Sequence, residues 1–252
     1  MNEPPDTYKG IVSSDWSECL SPNGPFDPIA FAYPELKQDL AAIFRQYTGN
    51  LISLTEATNT IRDLLPAPLV RDRMDAYLDA SFQTYMGVPD LIEWCLTHHV
   101  LFMINTTGMQ GYFQRAFAKG LLPRVPVVAA NPMIHYSNAG EEPEFLPVKE
   151  IDDKPKNSQA AMRSWAVPDG KLVVIGDSGG DGPHFKWAAA NGGFLIGSMP
   201  KDSLEKYCRT AEITIHARFG IQYSPGDIRD PEREMRVDFR QMIEIVRNAL
   251  DL

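Results

Sequence analysis

Short runs of nearly unbroken apolar residues, each followed by a stretch with helical periodicity, organise most of this chain. After a polar, Pro-rich start, KGIVSSD (residues 9–15) reads as a buried strand that ends at Asp15. SPNGPFDP (residues 21–28) is dense in Pro, Gly and Asn and reads as a linker. From Pro34 to about Met86 the pattern turns helical: PELKQDLAAIFRQY opens on a proline suited to a first turn, and Ser53 to Glu56 has capping-box spacing ahead of ATNTIRDLL. Beyond that block the pattern predicts a helix from near Pro89, a strand VLFMIN (residues 100–105), a helix after Gly108 and a strand VPVVAAN (residues 125–131). A polar, hairpin-like stretch runs to about Asp153, and a helix from Pro155 leads into a strand KLVVIGD (residues 171–177). GGFLIG (residues 192–197) is a further strand, and a C-terminal helix carries Phe239, Met242, Ile243, Val246 and Leu250 on one face.

Strands that are almost wholly apolar and alternate with helices belong in a parallel sheet covered on both sides. The expected fold class is therefore α/β, a three-layer Rossmann-like core with a mostly parallel sheet. Such sheets bind ligands at the carboxyl ends of their strands, so the residue that ends each strand is the informative one. No segment repeats at a period of roughly 20 to 50 residues, which sets solenoids and propellers aside.

Composition narrows the partners. The chain of 252 residues is 44% hydrophobic and 23% charged, ordinary for a globular protein with a real core. A formal net charge of −9 with no basic stripe excludes nucleic acid and anionic membrane surfaces as partners. Cys19, Cys95 and Cys208 are odd in number and lack C-x-x-C spacing, so they read as reduced thiols rather than a disulfide framework or zinc site. No apolar run is long enough to span a bilayer and the beginning has no apolar leader pattern, so the expected location is cytoplasmic. No G-x-G-x-x-G follows a strand, so a dinucleotide has no support.

The stretch VVIGDSGGDGPHF (residues 173–185) admits two chemistries. Gly176-Asp177-Ser178-Gly179-Gly180 fits the G-x-S-x-G turn of a serine hydrolase, with His216 and either Asp202 or Asp227 available as partners of Ser178. It also spells the GDSGG of trypsin-like proteases, but alternating helices and strands exclude their all-β barrels. Read instead as a strand that ends in Asp177, with Asp181 one turn on, it joins Asp15 and the Thr106-Thr107 pair at one rim. Carboxylates crowded there repel and have raised pKa values unless a cation sits between them. Mg²⁺, a hard ion with oxygen ligands, resolves that repulsion. Lys154 or Lys156 adds a positive charge, and metal, ammonium and threonine hydroxyl together make a phosphate-shaped site with Asp15 as nucleophile.

Four segments in order, Asp15-Trp16-Ser17, Thr106-Thr107-Gly108-Met109, Lys154 and Asp177 with Asp181, resemble the motifs of the haloacid dehalogenase-like (HAD) superfamily, in its phosphoserine-phosphatase-like branch with a small helical cap. The resemblance covers nearly the whole chain. It implies a HAD-like core domain from residues 1–25 and 89–252 and an inserted helical cap domain from residues 26–88. It also implies a Mg²⁺-dependent phosphatase for a small phosphorylated metabolite. Asp15 would form an aspartyl-phosphate, while Thr106, with Thr107 and Gly108, would bind the phosphoryl group. Asp15, the main-chain carbonyl of Ser17 and Asp177 would hold the metal, with Asp181 acting through water or by fixing the lysine. Lys154 matches the family spacing without a gap, whereas Lys156 needs a two-residue adjustment.

One position departs from the pattern. The family's phosphatases carry a second aspartate two residues after the nucleophile, which protonates the leaving oxygen, and here that position is Ser17. Loss of a positioned general acid costs about 10² to 10⁴ in rate. Three readings follow: an acid supplied by Glu18 or a cap residue, a slower phosphatase suited to good leaving groups, or a non-catalytic binding or assembly protein. Relatives that cleave phosphonates also lack this aspartate but need a cap lysine, for which the helical block offers Lys37 without special context.

Overall fold

β1 (Gly10–Ser14) is buried along its whole length, as expected of a central strand packed on both faces. The structure, a computed structural model, describes residues 7–48, 51–137, 143–223, 226–228 and 230–252. Among these residues seven strands form one sheet, in the order β4-β3-β2-β1-β5-β6-β7. The others are β2 (Val100–Met109), β3 (Val127–Asn131), β4 (Glu144–Pro147), β5 (Leu172–Gly176), β6 (Phe194–Ser198) and β7 (Ala217–Phe219). Every neighbouring pair is parallel.

Among the described residues five α-helices fall between β1 and β2, the first four being α1 (Asp27–Ala32), α2 (Lys37–Thr48), α3 (Leu54–Leu64) and α4 (Arg71–Ser81). Ser53 caps α3 with both hydrogen bonds of the capping box in place. The chain then adds α5 (Val88–Thr97), α6 (Gln110–Ala118), α7 (Asp153–Ser164), α8 (Gly182–Ala190), α9 (Asp202–Thr210), α10 (Pro231–Glu234) and α11 (Met242–Leu250). Alternate strand residues bury on opposite faces. Val12, Phe102, Ile104 and Ile175 pack with Leu91 of α5, Phe113 of α6 and Val246 of α11. Ile11, Leu101, Met103 and Val174 pack with Ala161 of α7, Phe185 of α8 and Leu204 of α9. This is the three-layer α/β arrangement expected from the sequence.

Several local expectations change. The stretch after β3 is not a hairpin, because β4 pairs parallel with β3, Val127 opposite Glu144, and residues 138–142 of it lie outside the described residues. The Pro-rich start, residues 1–6, also lies outside them. β2 runs four residues beyond VLFMIN, so Thr106 and Thr107 sit inside it, where its register with β3 shifts between Asn105 and Met109. α7 begins at Asp153 rather than Pro155, since a proline lacking N–H is tolerated within a first turn. α9 and β7 add elements that the hydrophobic pattern did not announce. α9 buries just Leu204 and Cys208, and β7 spans three residues at the sheet edge. The three cysteines are free and buried. No helix of the described residues is long and apolar enough to cross a membrane.

A polar network beneath the carboxyl edge ties α7 to the sheet. Asn105 Nδ2 of β2 donates to the Lys154 carbonyl at 2.8 Å and to Ser158 Oγ at 3.0 Å. Ser158 also meets Ser13 Oγ of β1 at 2.8 Å and His184 Nε2 of α8 at 2.9 Å. Burial pushes the His184 imidazole down to about 3, with the Lys154 charge adding to the effect. An unfolded histidine titrates near 6.5. Between those values the unfolded chain alone takes the proton, so His184 costs stability as pH falls below about 6.5, at up to about 1.4 kcal/mol per pH unit. His184→Gln is expected to lower stability at pH 7.5, with the gap to the wild type narrowing towards pH 4.5 in urea titrations. A gap that stays constant with pH would contradict a neutral buried imidazole.

Candidate active site at the carboxyl edge of the sheet

The site grows from the ends of β1 and β5. Asp15 follows β1, its amide donating to Ile175 O at 2.9 Å, and Asp177 follows β5, so adjacent parallel strands deliver two carboxylates side by side. Asp181, one turn later, accepts from the Asp177 amide at 3.0 Å and the Ser178 amide at 3.3 Å through Oδ2. Gly176 makes that return possible, since a Cβ there would lie 2.6 Å from Asp181 Cγ. Lys154, buried in the first turn of α7, bridges the two segments: its Nζ is 2.6 Å from Asp181 Oδ1 and 3.3 Å from Asp15 Oδ1. Asp15 Oδ1 also accepts the Trp16 amide at 2.7 Å, and the Thr106 side chain stands close enough to the same carboxylate to favour its charged form. The Gly108 amide in turn donates to Thr106 Oγ1 at 3.2 Å.

A second ammonium completes the rim. Lys201, at the start of α9, lies 2.6 Å from Asp177 Oδ2 and 2.7 Å from Glu18 Oε2. The contact with Asp177 is an ion pair outside hydrogen-bond angles. Glu18 adopts a left-handed φ of 58°, a strained conformation for a non-glycine residue, directly after the Asp15-Trp16-Ser17 segment.

Burial dominates the electrostatics. It pushes the Asp15 carboxyl above its usual range despite Lys154, and lifts Asp177 to about 7 despite Lys201, with Asp181 repelling both. Burial works against the two ammonium groups as well. The carboxylates outweigh it, Asp15 and Asp181 for Lys154 and Asp177 and Glu18 for Lys201, and hold both lysines above the usual range. With all of these side chains ionised, four carboxylates would face two ammonium groups, an excess of two negative charges. Asp15, Asp177 and Asp181 offer oxygens within 4.8 Å of one another, and such a buried cluster could hold a metal ion. Asp181 is the poorest ligand of the three, because both its oxygens already accept from Lys154 and the backbone. Asp15 and Asp177 fit a hard divalent cation, whose charge matches the excess.

Most of the residues singled out in the sequence converge here. Ser17, Thr107 and Lys154 line a cavity of about 720 Å³ together with Asp15 and Asp177. Gly108 lies beside them, a Cβ at that position falling 3.8 Å from Ser17 Oγ. Lys156 does not converge. It lies two residues past Lys154, about 200° around the helix, and its exposed ammonium pairs with Asp153 at 2.9 Å. The serine-hydrolase constellation does not assemble either. The Ser178 hydroxyl caps the turn to Asp181, and His216 Nδ1 is engaged by the Leu195 amide while its ring stacks on Phe194. His184, the nearer histidine in sequence, is held by Ser158. Trp16 is buried edge-on against Phe113 rather than facing a ligand space of useful size.

Two contributors escaped the sequence reading. Tyr47 of α2 lies close to Thr107 and lines the cavity together with Phe44. Nothing in its local sequence marks it. Lys201 did carry a weaker signal, because it lies three residues past the end of β6 at the same edge of the sheet, whereas Asp15 and Asp177 directly follow β1 and β5.

No family model and no curated protein sequence matches the chain. Solved structures do. A phospho-aspartyl intermediate analogue of phosphoserine phosphatase superposes with a TM-score of 0.66 at 14% identity, over 95% of this chain and 99% of that one. A HAD family hydrolase from Salmonella enterica serovar Typhi gives 0.62 at 15% identity, over 84% of this chain and 68% of that one. Cytosolic 5'-nucleotidase IIIB bound to cytidine gives 0.57 at 12% identity, over 95% and 87%. With the parallel sheet, the helices between β1 and β2 and the rim built from Asp15, Lys154 and Asp177, these likenesses establish that the chain has the haloacid dehalogenase-like fold, in its phosphoserine-phosphatase-like form.

Proposed function

We propose that the chain is a Mg²⁺-dependent phosphatase that hydrolyses a small phosphorylated metabolite through an aspartyl-phosphate on Asp15. The observation that carries this reading is the buried bridge from Lys154 to Asp15 and Asp181, set beside Asp177 at the rim. Buried, strongly perturbed titratable groups that converge on one cavity are the physical mark of an active site.

In this reading Asp15 attacks phosphorus, and the bond to the leaving oxygen breaks as the Asp15–phosphorus bond forms. Thr106 and the Trp16 amide orient the attacking carboxylate, and Lys154 faces the phosphoryl oxygens while Asp181 holds it in place. Asp15, the Ser17 carbonyl and Asp177 would hold Mg²⁺, which when bound stabilises the charge that builds on the transferring group. Water then cleaves the aspartyl-phosphate and returns Asp15. Residues 26–88 serve as the cap domain over a core of residues 1–25 and 89–252, with Tyr47 and Phe44 of α2 excluding bulk water from the cavity. A cavity of about 720 Å³ suits a metabolite rather than a polymer. That substrate class and the charge of −9 agree with a cytoplasmic enzyme that binds neither nucleic acid nor membranes.

Ser17 favours a second reading, a HAD-fold protein that binds a phosphorylated ligand without turning it over. A hydroxyl donates a proton far less readily than a carboxylic acid, so departure of a poor leaving group lacks its usual help.

Asp15→Asn is expected to abolish turnover in a screen of phosphorylated metabolites, and chelation of Mg²⁺ to abolish it in the wild type. Equal activity of Asp15→Asn and wild type would contradict the nucleophile. Ser17→Asp is expected to raise turnover of an aryl phosphate by about 10² or more. A wild type that binds ligand without turnover, together with a Ser17→Asp variant that gains it, would establish the second reading.

A further inference from the structure

We infer that Lys201 is a resident counter-cation of Asp177 that competes with the divalent ion, so that loading the metal requires the ammonium to leave Asp177. The inference rests on the reading of the rim as a metal-assisted phosphoryl site. Lys201 is no ordinary surface lysine: 30% of its side chain is exposed, and its Nζ lies within 2.7 Å of two carboxylates. The contact with Asp177 Oδ2, at 2.6 Å, occupies an oxygen of one of the two carboxylates that best fit a cation. Ammonium and metal compete for Asp177 Oδ2, because two cations in direct contact with one carboxylate oxygen repel each other.

The backbone keeps the lysine in place while leaving its side chain a second seat. The Lys201 amide donates to the Asp177 carbonyl at 2.7 Å, which fixes the root of the side chain beside the site. Glu18 Oε2, 2.7 Å from the same Nζ, continues to hold the ammonium once Asp177 is taken. The displaced charge therefore remains in the cavity, which both residues line. The trade has a thermodynamic consequence. With Lys201 in contact, the metal-free protein limits repulsion among Asp15, Asp177 and Asp181, and the ion pair that protects this state is lost from Asp177 on loading.

The test titrates Mn²⁺, chosen for its paramagnetism, into the full chain and reads the dissociation constant by calorimetry and by the electron paramagnetic resonance signal of free Mn²⁺. Lys201→Met keeps the aliphatic stem and removes the charge, and it is expected to bind Mn²⁺ at least about tenfold more tightly than the wild type, the factor that corresponds to about 1.4 kcal/mol. Without metal this variant is expected to melt below the wild type, and Mn²⁺ is expected to stabilise it by the larger margin. If Lys201→Met does not fold without metal, Lys201→Gln carries the same expectation. Unchanged or weaker binding in a folded Lys201 variant, with binding still lost in Asp177→Asn, overturns this inference and leaves the metal site standing. Mn²⁺ binding that is indifferent to Asp177→Asn, or absent from all variants, overturns the metal reading and the inference together.

Discussion

Crowding three aspartates into a nearly dry rim is the constraint around which this protein is arranged. Asp15, Asp177 and Asp181 are each at most 7% exposed, where an isolated carboxylate carries a heavy desolvation cost. Partial compensation for that cost comes from four separate parts of the chain. Lys154 on α7 serves Asp15 and Asp181, Lys201 at the head of α9 serves Asp177, and the amides of residues 16, 177 and 178 supply shorter-range donors. Parallel strands make this possible by ending at one edge, and Gly176 admits Asp181 where any side chain would collide. With these groups ionised, the charge that remains uncompensated is negative and twofold, which is the physical case for a divalent cation rather than another lysine.

Support for the rim extends into layers with no direct part in chemistry. Asn105, Ser13, Ser158 and His184 bind β1, β2, α7 and α8 through neutral hydrogen bonds, so Lys154 is held from behind without further charge. On the other side, the helices between β1 and β2 are secured to the core. Arg115 of α6 grips Asp75 of α4 with two bonds of 2.7 and 2.8 Å, and Glu150 accepts the Leu54 and Thr55 amides at the start of α3. The apolar core is continuous across this junction, joining Ile43, Ile61 and Met74 to Phe113 and Val88. Such anchoring places Tyr47 against Thr107 and makes the cavity a shaped space rather than an open groove.

The sheet and the acidic rim were legible in the sequence because buried parallel strands write themselves as apolar runs, and the residue after each run must project at the ligand edge. Asp15 and Asp177 follow directly from that rule. Lys201 lies three residues past β6 rather than next to it, and a lysine before an Asp-Ser pair looks like an ordinary helix start. The family's spacing favoured Lys154 over Lys156 without placing either side chain. The helical phase places them, since two residues on α7 turn one ammonium into the core and the other into solvent. β7 and α9 left little trace because an edge strand and a surface helix bury few side chains. The parallel pairing of β4 was hidden because none of its four residues is fully buried, so no apolar run announced a strand there.

The central claim, that a divalent ion reconciles Asp15 with Asp177, is tested most directly by a crystal structure of the protein grown with Mn²⁺, with data collected at the manganese absorption edge. The account predicts one anomalous peak in direct contact with a carboxylate oxygen of each residue, and Asp181 still bound to Lys154. An ordered rim with no peak, or a peak bound elsewhere while Asp15 and Asp177 keep their present positions, would contradict it.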